Sequence, residues 1–100
     1  MVAAVSGAVD ERVPPFDVTA ERHTLGSMLV SERAIPDVVR ILGTDGRRFF
    51  RPAHQLIYEA ILAVHERGQV PDPVVVADEL TKWGDLARAG GAPYLADLYG

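Results

Sequence analysis

The sequence predicts an all-α domain, a bundle of about five to six helices, and three observations carry that reading. Helix starts are marked by Asp17, Ser31, Pro52, Asp72-Pro73 and Pro93. Glycines suited to stop a helix follow, notably Gly68 and Gly84. Between Pro52 and Arg67, the residues Ala53, Leu56, Ile57, Ala60, Ile61 and Val64 fall on one helical face. The 100 residues, 48% of them hydrophobic, are enough to close one core and too few for two. Residues 1–13 read as a flexible tail and 14–100 as the folded domain.

Taken in order, Asp17 caps a first helix running through Leu29, with Leu25, Met28 and Leu29 as its apolar stripe. Gly26 inside it is either a tolerated residue or the place where a neighbouring helix comes close, because glycine lacks the side chain that holds two helices apart. Ser31 is placed to cap a second helix carrying Ala34, Ile35, Val38, Val39 and Leu42. Pro36 removes a backbone donor and restricts Ile35, so this helix is expected to kink or to restart at the proline.

Gly43 to Gly46 reads as a turn, and Pro52 then opens the central core helix, about 24 Å long at 1.5 Å per residue. Asp72 and Pro73 begin a fourth helix over Val74 to Trp83 and outweigh the strand preference of Val74, Val75 and Val76. Asp85 to Ala89 reads as a short turn or helix. Pro93 is expected to open a last helix with Tyr94, Leu95 and Leu98.

Charge and composition exclude several functions. Fourteen acidic against ten basic residues leave a net charge of −4, the wrong sign for holding phosphate backbones by bulk charge, so no direct strong nucleic-acid binding is expected. With no cysteine there is neither a disulfide nor a thiolate metal site. No apolar run approaches the roughly 20 residues of a membrane helix, and Met1 to Ala8 lacks the basic flank of a signal peptide; a cytoplasmic setting is expected.

Catalytic chemistry is not expected either. Lys82, the sole lysine, sits in Thr81-Lys82-Trp83, outside any phosphate-binding loop, and Gly90-Gly91 lacks the spacing of a dinucleotide fingerprint. His54 and His65 lie about 16 Å apart along one helix, and His23 has no ligand partner one turn away, which argues against metal. His54 is expected to be a polar residue bonded near its helix start. Asp78 and Glu79 point about 100° apart, and Asp78 precedes Lys82 by one turn, the geometry of a surface ion pair.

Arg47, Arg48 and Arg51 surround Phe49 and Phe50 in a pattern that could stack on single strands. The preferred reading has both aromatics plugging the core with the arginines on its rim. Trp83 is either buried beside Leu80 or an aromatic anchor for a partner, and Tyr94 carries the same ambiguity.

One pattern runs through these elements. It consists of Pro14-Pro15, Ala20-Glu21, Leu25-Gly26, Phe49-Phe50-Arg51-Pro52-Ala53-His54, Ile57-Tyr58-Glu59-Ala60-Ile61 and Glu66-Arg67-Gly68. It continues with Asp72, Val74, Val76-Ala77-Asp78-Glu79-Leu80 and Gly90-Gly91-Ala92-Pro93-Tyr94-Leu95. In order and spacing it resembles the N-terminal domain of DnaB-type replicative DNA helicases. The sequence departs from that family in a longer Gly43 to Arg48 turn, in Thr19 where Glu is common, and in Val75 where Thr is usual.

The resemblance implies a compact orthogonal bundle, a non-catalytic head serving helicase ring assembly and primase contact in DNA replication. Its implied partners are primase, in some systems a helicase loader, and other helicase subunits. In the family a helical hairpin, a linker and an ATP- and Mg-dependent motor domain follow, and none of the three lies within these residues; no cofactor is therefore expected here, and self-association should be weak. The resemblance places Thr19 and Tyr94 on surfaces that meet primase; Trp83 joins them only as an aromatic nearby in sequence. The alternative is a free-standing helical regulatory or DNA-binding module derived from such a head.

Overall fold

A computed structural model describes residues 17–100, so the expected tail and Pro14-Pro15 lie outside the described residues. Five α-helices follow one another: α1 (Val18–Val30), α2 (Ile35–Leu42), α3 (Pro52–Glu66), α4 (Pro73–Trp83) and α5 (Gly91–Tyr99). Two single 3₁₀ turns, Glu32–Ala34 and Gly46–Arg48, stand before α2 and α3, and no strand forms among the described residues.

The starts follow local chemistry. Asp17 Oδ1 accepts from the amide of Ala20 at 2.8 Å, and Asp72 Oδ1 from that of Val75 at 2.9 Å, each satisfying one of the amides that a helix start leaves open. The second helix restarts at its proline, one of the two outcomes expected of Pro36, but without the expected cap. The Ser31 side chain makes no capping bond there, and a 3₁₀ turn runs to Ala34 before α2 starts at Ile35. Pro36 thus lies in the first turn, where its missing N–H costs nothing, and Ile35 keeps helical angles (φ −60°, ψ −49°) despite the proline after it.

Two other boundaries sharpen the reading. Residues after Gly84 form a hydrogen-bonded turn, with the Ala89 amide donating to the Asp85 carbonyl at 3.0 Å, rather than a sixth helix. Helix α5 then begins at Gly91, two residues before Pro93. Gly90 and Gly91 take positive φ of 104° and 83°, a reversal that side chains resist, and Pro93 falls inside the first turn.

The core runs through α3. Ile57, Tyr58, Ala60 and Ile61 are buried against Leu25, Met28 and Leu29 of α1, Val76 and Leu80 of α4, and Leu95 and Leu98 of α5. The buried face of α3 is wider than its apolar stripe, since His54 and Tyr58 are fully enclosed while Ala53 and Leu56 are only partly so. Of the two adjacent phenylalanines only Phe49 plugs the core; Phe50 is half exposed. Successive residues of an extended segment point opposite ways, so both could not be enclosed. Tyr58 Oη donates to the Gly43 carbonyl at 2.5 Å, and Gln55 Nε2 to the Phe49 carbonyl at 2.8 Å, fastening the long turn onto α3.

Helix α1 lies across α5 at Gly26. A Cβ at that position would stand 2.5 Å from the backbone oxygen of Leu98, so the close-approach reading of this glycine is the right one.

Candidate functional site

A charged residue sits on the apolar stripe of α1. Glu21 precedes Leu25 by four residues and Met28 by seven, which turns its side chain into the core, where it has no exposed surface. A buried carboxyl group is tolerable only when its acceptors are used. Here the Phe50 amide donates to Oε2 at 2.5 Å, the Arg51 amide approaches Oε1 at 3.4 Å, and His54 Nδ1 lies 2.7 Å from Oε1.

His54 is equally enclosed and passes the chain on. Its Nε2 lies 2.6 Å from Tyr94 Oη, and the two rings stack nearly parallel with centroids 5.9 Å apart. Phe49 closes the other side edge-on at 6.5 Å. The resulting joint links α1, the segment before α3, α3 itself and α5. Among the described residues no buried side-chain nitrogen or oxygen lacks a partner.

Burial pushes the His54 imidazole below its ordinary value, outweighing the pull of Glu21 the other way; the nearby Arg51 and Arg22 charges add to the depression. The Arg22 guanidinium lies over the Tyr94 ring, 5.3 Å from its centroid, and pairs with Asp97 Oδ2 at 2.7 Å. Asp97 first, and Tyr94 second, hold Arg22 more firmly protonated than a free arginine. A surface strip thus runs from the start of α1 to α5: Thr19 is exposed one turn ahead of Arg22, and Tyr94 is half-buried beneath it.

The structure therefore relates Thr19 to Tyr94 only through Arg22, which follows Thr19 by one turn on α1 and covers the Tyr94 ring of α5, and leaves Trp83 elsewhere. Trp83 Nε1 donates to Glu79 Oε2 at 3.0 Å, and Glu79 also takes Arg67 at 2.9 Å, which ties the indole to the corner of α3 and α4. Arg67, chiefly, holds the Glu79 carboxyl below the usual range. Among the described residues Trp83 shares no hydrogen bond, ion pair or ring contact with Thr19 or Tyr94. Asp78 and Lys82 form the expected surface pair at 3.4 Å.

Of the two readings open for Tyr94, the structure shows the core one, its ring packing on the core and its hydroxyl serving the joint. Sequence reasoning missed that joint. The signal for it was an acid and a base each on the buried stripe of its helix: Glu21 in step with Leu25 and Met28, His54 in step with Ile57 and Ile61. Among the described residues no group of three or more His, Asp or Glu could hold a metal ion, and no helix is long and apolar enough to cross a membrane.

Residues 13–100 match the family model described as DnaB-like helicase N terminal domain. The chain is 49% identical over 89 residues to the replicative DNA helicase DnaB of Leifsonia xyli, covering 88% of this chain and 19% of that protein. It is 51% identical over 87 residues to the replicative DNA helicase DnaB of Mycobacterium leprae, covering 87% of this chain and 14% of that protein. The chain thus spans a fifth or less of these two relatives. The crystal structure of the N-terminal domain of DnaB helicase from Mycobacterium tuberculosis superposes with a TM-score of 0.79 at 49% identity, covering 87% of this chain and 60% of that one.

Proposed function

The chain belongs to the DnaB-like helicase N-terminal domain family, and from that membership we propose that it is a non-catalytic head serving helicase ring assembly and contact with primase or a helicase loader in the cytoplasm. The observation that supports this most is the likeness to a helicase N-terminal domain along nearly the whole chain, in sequence and in fold. ATP and Mg chemistry belongs, on this reading, to a motor domain of the kind the family carries, since these residues hold no phosphate-binding loop.

The docking face proposed is the strip of α1 and α5 that carries Thr19, Arg22 and Tyr94, with Trp83 as a separate candidate at the far corner. Tyrosine suits such a role because it contributes a large contact area with few rotatable bonds. Calorimetric titration against the C-terminal region of the cognate primase tests this, using Thr19→Glu and Tyr94→Ala with melting measured alongside. Thr19→Glu, which installs the residue common in the family, should shift affinity by about tenfold or more at unchanged melting temperature. Unchanged affinity in folded Thr19→Glu and Tyr94→Ala would remove the strip from the interface.

A further inference from the structure

His54 has both ring nitrogens engaged inside the bundle, and its two neighbours are not equivalent. Glu21 Oε2 accepts from the Phe50 amide and Oε1 faces the Arg51 amide, so this carboxyl group is surrounded by donors and ring Nδ1 meets it as another, an N–H. A neutral ring then keeps its lone pair on Nε2, and the Tyr94 hydroxyl, 2.6 Å away, donates into it. A further proton has one place to go, Nε2. Once there, Nε2–H donates to the Tyr94 oxygen, and the phenolic hydrogen must turn away from the ring.

We propose that the Glu21, His54 and Tyr94 chain is a proton-operated switch that reverses the hydrogen-bond character of Tyr94 at the surface of α1 and α5. With His54 neutral, the Tyr94 donor is spent inward and its oxygen offers only acceptor capacity outward. With His54 charged, the oxygen accepts from the ring and the hydroxyl donates outward. No heavy atom has to move.

The groups that face the ring set the balance. Glu21 of α1 favours the added proton, whereas Arg22 of α1, Arg51 ahead of α3 and the enclosure itself oppose it; Tyr94 of α5 serves either state, and Asp97 offsets Arg22 from behind. The switch rests on the proposed docking face only for its use. Its test needs no partner, so the two readings fail separately.

Side-chain nitrogen correlation spectra of the ¹⁵N-labelled hundred-residue chain, taken from about pH 8 to about pH 5, follow it directly. At the upper end His54 should be the Nδ1–H tautomer, with a slowly exchanging Tyr94 hydroxyl proton correlated to Nε2. On acidification an Nε2–H signal should replace that correlation. Tyr94→Phe, which keeps the ring and its packing, should retain the Nδ1–H tautomer and lack the hydroxyl signal from the start. An Nε2–H tautomer at the upper end, a ring neutral until the chain unfolds, or a His54 titration that leaves the Tyr94 hydroxyl correlation unchanged would each overturn the switch.

Discussion

Beneath the surface pair of Arg22 and Asp97, helix α1 meets α5 in two contrasting ways within two turns. At Gly26 the contact is steric, a missing side chain that lets the Leu98 carbonyl approach; near the start of α1 it is polar, passing from Glu21 through His54 to Tyr94. The first depends on a single residue, and any added atom spoils it. The second depends on three residues, separated by 33 and 40 positions in the chain, and each is tolerable only because the others are there. The steric contact sets how near the helices lie, and the polar one sets which groups face each other.

Removing the hub of the polar contact should have the largest effect. Glu21→Ala leaves the Phe50 amide and His54 Nδ1 without their acceptor inside the bundle, and a loss of about 3–5 kcal/mol in urea denaturation is expected. A loss below about 1 kcal/mol would mean that water replaces the carboxyl group.

Gly26→Ala should come next, at about 1–2 kcal/mol. The new methyl meets a backbone oxygen that cannot rotate away, against which alanine returns up to about 1 kcal/mol of helix preference. A net gain in stability would show that α5 slides aside freely.

The pH dependence is smaller and separates the two contacts, because only the polar one carries a proton. His54 is depressed in the folded state, so the unfolded chain takes up the proton first. Its contribution is fully present above about pH 6.5 and is lost as pH falls below that value toward the folded one, with a slope of at most about 1.4 kcal/mol per pH unit. Denaturation midpoints at about pH 7.5 and about pH 5.5 should therefore fall with acid while the denaturant slope stays constant. The smallest effect is expected at exposed Thr19: Thr19→Glu should change stability by no more than about 0.5 kcal/mol, whatever it does to binding.

Legibility in the sequence divides along the same line. Helices α1, α3 and α4 were readable because Asp17, Pro52, Asp72, Gly68 and Gly84 act on their own immediate backbone. Local cues failed where neighbours competed. Ser31 lost its capping role to the 3₁₀ turn that lets Pro36 into the helix, and Gly90 with Gly91 started α5 ahead of Pro93. The joint was out of reach for a different reason. Periodicity shows that Glu21 and His54 each face inward, but their meeting depends on how α1 and α3 cross, which no local pattern encodes.

The claim that one buried carboxyl group fastens the segment before α3 to α1, and so holds the α1 and α5 face in register, is tested most directly by hydrogen exchange at a single amide. Phe50 has a half-exposed side chain and belongs to no helix, so an ordinary loop amide in its place would exchange quickly. Because it donates to Glu21 Oε2 inside the bundle, its amide should exchange only on global unfolding, at the same opening free energy as Ile57 and Ile61 in the middle of α3. Exchange of the Phe50 amide close to the unprotected rate, while Ile57 and Ile61 stay protected, would contradict the account.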